Sequence, residues 1–232
     1  MEVVYEDNHI IIVNKRSGEI VQGDKTGDRP LSELVKDYLK EKYQKPGAVF
    51  LGVVHRLDRP VSGLVVFART SKALARLNKM FAQGEVHKTY WAIVLKGRGE
   101  EPPSFITLTH WLTRNEQQNK SYAHQREVAG SKKAQLKYRV IASGDRYQLL
   151  EVQLMTGRHH QIRCQLSAVG MPIRGDLKYG APRSNPDGSI SLLSRRVEFV
   201  HPVSGQTISL EAPLPDGDAL WQKLYQTAGQ SL

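Results

Sequence analysis

Cysteine is almost absent: Cys164 is the only one among 232 residues, so no disulfide can form within the chain and a reducing compartment is expected. Acid is in deficit, with 23 Asp and Glu against 33 Lys and Arg, a formal charge of +10. Such a surplus points to a polyanionic partner or a soluble basic surface. Long apolar runs are missing as well. The opening MEVVYEDNHIIIVNK carries acids where a secretory leader carries bases, and its run Ile10 to Val13 is too short for a leader or a membrane span. A cytoplasmic protein with no membrane attachment is the expectation. Walker-type phosphate loops, dinucleotide-binding glycine patterns and convincing zinc clusters are absent, so no nucleotide cofactor, no other cofactor and no metal are expected. There are no coiled-coil heptads, which leaves a monomer as the expected state, and no internal repeat or low-complexity tract.

What is present is the composition of a folded protein, with 40% hydrophobic and 24% charged residues. Ile10 to Val13 reads as a short strand, and RPLSELVKDYL sets Leu31, Leu34, Val35 and Tyr38 on one helical face after Pro30. Gly63 to Ala68 reads as a buried strand. Ser71 looks like the N-cap of a helix with Leu74, Leu77 and Phe81 inward, ending at Gly84. A strand HKTYWAIVL follows. Alternation at Ala134, Leu136, Tyr138 and Val140, and again at Leu150, Val152 and Leu154, indicates consecutive antiparallel strands. In MTGRHHQIRCQLSAVG the period changes: Ile162, Leu166 and Val169 mark a short helix opening near Gly157 and spanning 158 to 169. The tail VEFVHPVSGQTISLEAPLP reads as a hairpin turning at Pro202 to Gly205. The fold class is therefore α/β of the α+β type, a mixed, mainly antiparallel central sheet with flanking helices, in a single domain over residues 1 to 232.

Chemistry concentrates in two segments. In HRLDRPVSGLVV, Asp58 stands between Arg56 and Arg59 ahead of the Ser62, Gly63 turn. An Asp beside a turn is commonly a cap. Here Arg158 and Arg163 of TGRHHQIR lie on a segment able to pack nearby, and guanidinium partners would keep such a carboxylate ionised, as a nucleophile or base requires. His160 and Cys164 are one helical turn apart, yet two ligands do not complete a zinc tetrahedron.

HRLDRPVSGLVVFA, then KTY, then TGRHHQIR and GDLKYG resemble, in that order, the RNA pseudouridine synthases of the RluA family, and the likeness extends from VYEDNHIIIVNKRSG to FVHPVSG. The resemblance implies the pseudouridine synthase fold with a catalytic cleft. It also implies isomerisation of specific uridines in structured RNA, ribosomal or transfer: the bond from C1′ to N1 breaks, the uracil turns, and C5 is joined to C1′. Asp58 becomes the catalytic aspartate, attacking C1′ or removing the 2′ proton. Arg163 matches the arginine that pairs with it, Tyr90 the tyrosine against the target uracil, and Ile162 an aliphatic residue closing the pocket. Arg56 and Arg59 flank the carboxylate on the substrate side. Arg56 is the candidate to fill the space a flipped base vacates, and Arg158 is placed for phosphate. Gly175, Asp176, Tyr179 and Gly180 match an element read as a turn supporting the cleft.

Many relatives carry an S4-type RNA-binding domain ahead of the catalytic part, whereas here the first shared element begins at residue 3, so no N-terminal S4 domain is expected. Gln165 stands where relatives often have His, LLS at 192 to 194 where LHA is usual, and Arg16 in place of a frequent Pro. The basic stretch 114 to 133, with Lys120, Arg126, Lys132 and Lys133, reads as a solvated loop or edge hairpin able to meet RNA backbone. The rival readings are a non-catalytic RNA-binding protein or RNA chaperone on the same fold, and a glycosidase acting on a free nucleoside.

Overall fold

The structure is a computed structural model, and it describes residues 1 to 24, 26 to 97 and 104 to 229. In chain order its elements are strands β1 (Glu2–Glu6) and β2 (Ile10–Lys15), helix α1 (Leu31–Lys42), strands β3 (Gly52–Val53) and β4 (Ser62–Ala68), helix α2 (Ser71–Gln83), and strand β5 (His87–Leu95). There follow β6 (Ile106–Asn115), β7 (Lys120–His124), β8 (Lys132–Ser143), β9 (Tyr147–Leu154), helix α3 (Gln161–Ala168), β10 (Leu192–Val200), β11 (Thr207–Glu211) and helix α4 (Ala219–Gly229). The chain forms two compact units, Met1–His87 with Ser194–Pro213, and Lys88–Leu193 with Leu214–Leu232.

In the first unit the strand order is β1, β2, β4, β10, with β3 on β4 and β11 on β10. Strands β2 and β4 share a continuous apolar stretch, and Ile10, Ile11, Ile12, Leu64, Val65 and Val66 have no exposed surface, as expected of strands covered on both faces. Helix α1 buries Leu31, Val35 and Leu39, a four-residue stripe in which Leu39 takes the place expected for Leu34 and Tyr38. Tyr38 is drawn outward because its hydroxyl donates to Glu6 at 2.9 Å. Helix α2 is capped by Thr70, one residue before the expected Ser71: the Thr70 hydroxyl accepts from the Ala73 amide at 3.1 Å. The helix stops at Gly84, whose φ of 74° is the left-handed conformation that favours glycine.

In the second unit the order is β5, β9, β8, β6, β7, and every described pairing is antiparallel. The alternation in the sequence is realised as far as Val140: Ala134, Leu136 and Tyr138 are buried on one face of β8, and a register shift between Val140 and Ala142 then turns the buried Ala142 to the opposite face, paired with Leu149. Leu112, Ala134, Cys164 and Tyr179 form a core cluster beneath α3. Strand β1, strand β6 and helix α4 carried no sequence signal strong enough to place them. The hairpin of β10 and β11 turns where expected, with the His201 amide donating to the Gln206 carbonyl at 2.7 Å. Among the described residues no helix is long and apolar enough to cross a membrane.

Candidate active site

The loop that carries Asp58 is held by its backbone. Asp58 O accepts from the Val61 amide at 3.0 Å, closing a turn over DRPV, and Arg59 O accepts from the Gly18 amide at 2.8 Å. Pro60 O accepts from the Ser17 hydroxyl at 3.2 Å. The Lys15 ammonium, with no exposed surface, spends its three donors on Arg16 O at 3.0 Å, Arg59 O at 3.1 Å and Val61 O at 2.6 Å. All four carbonyls from 58 to 61 are thus fixed, that of Asp58 by the Val61 amide of its own turn and the other three by groups from NKRSG at residues 14 to 18. Antiparallel pairing sets Lys15 directly opposite Gly63, which is why the two motifs meet. Burial pulls the Lys15 amine down to about 8, against the opposing pull of Glu19 and Asp58. The carbonyl cage compensates the buried charge with dipoles instead of a paired carboxylate.

Gly63 explains the second half of the motif. Its φ is 111°, and a Cβ there would lie 2.3 Å from the Ser194 carbonyl oxygen, so only glycine lets β4 approach β10 this closely. His55 closes the other side: its Nε2 accepts from the Val66 amide at 2.9 Å, and its ring stacks on Phe81 with centroids 4.9 Å apart. On this scaffold Leu57 is buried, Arg56 is exposed and Asp58 is half-buried. Arg59 points to an acidic loop: its guanidinium meets Asp28 at 2.6 Å, the Thr26 hydroxyl at 2.8 Å and Asp24 at 3.6 Å.

The second unit carries the other candidates. Tyr90 is buried on β5, opposite Val152 of β9. Helix α3 begins at Gln161, three residues later than expected, because the Gln161 side chain holds the preceding residues in a turn. Its Oε1 accepts from the Arg158 amide at 3.0 Å and the Thr156 hydroxyl at 2.8 Å, and its Nε2 donates to Gln135 O at 3.0 Å. His160 sits at φ 51°, a left-handed conformation that costs a non-glycine residue about 1–2 kcal/mol. Arg158 therefore precedes the helix. It is exposed, and its Nε donates to Lys133 O at 3.1 Å.

Ile162 and Arg163 are buried in the first turn of α3. The Arg163 guanidinium makes a two-pronged pair with Asp176, Nε to Oδ2 at 2.6 Å and Nη2 to Oδ1 at 2.9 Å, and lies 5.0 Å from the Tyr179 ring. The GDLKYG element is thus more than a turn, since it supplies a carboxylate and an aromatic wall that fix the arginine. Gly175 makes the approach possible, at φ 88° and with a Cβ position only 2.6 Å from Ser189 O. The signal for this pairing was in the sequence, as two motif elements with complementary charge 13 residues apart.

Beneath the pair, burial raises the Tyr179 phenol to about 12 and lowers His160 to about 2, with Arg163 reinforcing the latter. The phenol keeps its proton, accepts from the Ser121 amide at 2.8 Å, and faces Nδ1 of a neutral His160 at 2.9 Å. Burial also pushes the Cys164 thiol up to about 11, and its Sγ donates to Ser121 O at 3.3 Å. A thiol in that state is a poor nucleophile and a poor metal ligand. Among the described residues no group of three or more His, Cys, Asp and Glu is placed to hold a metal ion. The candidates thus divide: Asp58, Arg56 and Arg59 on one loop of the first unit, and Tyr90, Arg158, Ile162 and Arg163 in the second.

Residues 9 to 168 match the family model described as RNA pseudouridylate synthase. The chain is 29% identical to ribosomal large subunit pseudouridine synthase D of Zymomonas mobilis, covering all of this chain and 74% of that protein. It is 32% identical to an RNA pseudouridine synthase of Bacillus subtilis, over 93% of this chain and 69% of the relative. With tRNA pseudouridine synthase C of Pectobacterium carotovorum it shares 30% identity, over 99% of this chain and 62% of the relative. The structure of human RNA pseudouridylate synthase domain containing 4 superposes with a TM-score of 0.77 over 97% of this chain and 93% of the human one, at 21% identity, a likeness of fold. The Asp58 loop, the NKRSG segment that fixes it and the QIR of α3 fall within the matched span, and the chain belongs to the RNA pseudouridylate synthase family, isomerases that act on RNA.

Proposed function

We propose that this protein converts uridine to pseudouridine within a structured RNA, ribosomal or transfer, with Asp58 as the catalytic carboxylate. The observation that carries the reading is the Asp58 loop, where the carbonyls of 59 to 61 are held by NKRSG and that of 58 by the loop's own turn, while the carboxylate stays half-buried rather than covered. A backbone fixed at this density positions a reacting group, as orientation-dependent catalysis requires.

In the reaction the Asp58 carboxylate attacks C1′ or takes the 2′ proton, and the bond from C1′ to N1 breaks. The freed uracil turns and C5 bonds to C1′, displacing the Asp58 carboxylate or, in the second route, with the proton returned to C2′; the C5 proton is lost while N1 gains one, so the atoms balance without a redox partner. The Tyr90 ring and Ile162 hold the uracil by its faces, leaving it able to rotate. Arg163, clamped by Asp176, presents a fixed positive charge to the carboxylate chemistry. The target base must leave its stack to be reached, and Arg56, exposed beside Asp58, fills the gap. Arg59 and Arg158 complete the RNA contacts. In this reading the 232 residues work as one catalytic module and act as a monomer in the cytoplasm.

The test is to map pseudouridine in ribosomal and transfer RNA from cells with and without this protein, then to incubate the unmodified RNA with wild type and Asp58→Asn. Loss of one or a few sites, restored by wild type and not by the variant, is expected. RNA that binds both proteins and is modified by neither makes the protein a binding module. Free uracil in the supernatant makes it a glycosidase.

A further inference from the structure

The sheet of β6, β7 and β8 has two faces: α3 covers one, and α4 covers the other only towards β9. Side chains alternate across a strand, so residues directly opposite one another share a face. Leu112, Ala123 and Ala134 point to the face that α3 covers, packed with Cys164 and Tyr179. The registers Trp111 to His124, Trp111 to Lys133, Thr113 to Tyr122 and Thr107 to Lys137 assign the other face. Two side-chain contacts confirm the assignment, Thr113 Oγ1 to His124 Nε2 at 3.0 Å and Gln135 Nε2 to Thr109 Oγ1 at 3.0 Å. Helix α4 packs on β8 and β9, where Tyr225 meets Trp91 with ring centroids 5.7 Å apart.

At the β7 edge this second face is basic and aromatic at once. Tyr122 is 41% exposed, an uncommon state for a tyrosine on a strand, and Trp111 lies diagonally beside it, half-buried. The Tyr122 hydroxyl donates to the Gln118 side chain, and the Lys120 ammonium lies 5.5 Å from its ring centroid, so the ring is oriented while its outer surface stays open. Lys133 and Lys137 project from this face, while the Lys120 ammonium sits at the β7 edge between the Tyr122 ring at 5.5 Å and the Tyr179 ring of the α3 side at 5.4 Å. From 114 to 139 the chain has seven basic residues against two glutamates, a net +5 and half of the +10 of the whole protein. Flat rings for stacking and ammonium groups for phosphate, interleaved on one edge, are the recognition chemistry of unpaired nucleic acid. A duplex hides its base faces, so a duplex would use the lysines and leave the rings idle.

We infer that the face of β6, β7 and β8 opposite α3 binds an unpaired segment of the substrate RNA, with Tyr122 and Trp111 stacked on bases and Lys120, Lys133 and Lys137 on phosphates. The inference rests on the reading of RNA as substrate, and it deepens that reading by naming a docking element apart from the Asp58 loop.

Two measurements on the full chain test it. The first is binding of a fluorescent uridine 12-mer and of a blunt RNA duplex of equal length, by anisotropy, to wild type, Tyr122→Ala, Tyr122→Phe and the triple variant K120A/K133A/K137A. The 12-mer should bind Tyr122→Ala roughly 5- to 100-fold more weakly, as loss of one base stack implies, with Tyr122→Phe close to wild type and the duplex indifferent to Tyr122. The triple variant should lower the slope of log K against log salt by about 2. The second is photocrosslinking of a 4-thiouridine 12-mer to wild type, expected on peptides containing residues 111 to 133. Equal 12-mer affinity for Tyr122→Ala and wild type, or crosslinks confined to other peptides, overturns the inference and leaves the isomerase reading intact. The expected binding with no pseudouridine formed on any cellular RNA overturns the isomerase reading and leaves the surface.

Discussion

Single residues carry the Asp58 loop, and two of them give direct predictions. Lys15→Met keeps the volume and removes the ammonium, leaving the carbonyls of Arg16, Arg59 and Val61 without their shared donor. Orphaned buried acceptors cost about 1–3 kcal/mol each, partly relieved by water, so a loss of about 2–4 kcal/mol in denaturant unfolding is expected, with activity falling alongside. Gly63→Ala meets both a φ of 111° and the Ser194 carbonyl at 2.3 Å. It is expected to cost about 3 kcal/mol or more, or to abolish soluble expression. His160 tests the buried electrostatics. Its folded value of about 2 lies below its unfolded value of about 6.5, so its contribution is complete above pH 6.5 and is lost as pH falls from there toward 2. His160→Asn tolerates the left-handed backbone and still accepts from Tyr179, but does not titrate. Between pH 6.5 and 5 the wild type should lose about 2 kcal/mol relative to this variant, as read by urea unfolding at each pH.

At the scale of elements, the central feature is that each motif is a fixture for another. NKRSG holds HRLD within the first unit, and GDLKYG holds QIR within the second. Arg163→Lys separates the charge from the fork: a lysine cannot make the two-pronged contact with Asp176, so activity should fall by about tenfold or more at unchanged net charge. An Arg163→Lys enzyme as active as wild type would show that the clamp is incidental. The sequence made the periodic elements legible, such as β8 by its alternation and α2 by its apolar stripe and Gly84, because burial on one face writes itself into spacing. It hid the start of α3, where a side chain, Gln161, and not propensity sets the boundary. It hid the Lys15 cage too, since a lysine among polar neighbours reads as surface until the opposite strand is known. The individual candidates were found through resemblance to a family, which also brought Asp176 and Tyr179 into view as a supporting turn, while the holding groups Lys15 and Ser17 needed coordinates.

For the molecule as a whole, the surplus of +10 has a place, since half of it falls in the segment 114 to 139 on β6, β7, β8 and their turns. Affinity for RNA should fall steeply with salt, and the dependence should weaken most when that segment is neutralised. The fixed loops and the basic sheet edge are different tools: the first sets where a carboxylate stands, the second how long an RNA stays.

The most direct measurement of the central claim is tritium release from RNA labelled at C5 of uridine, in single turnover with enzyme in excess, comparing wild type with Asp58→Asn. Isomerisation exchanges the C5 hydrogen into water, so wild type should release one tritium per target site, and Asp58→Asn, at equal RNA binding and equal stability, should release it at least a thousandfold more slowly, on the order of the loss seen when a reacting group is removed. Release by the variant within a few-fold of the wild-type rate would contradict the account.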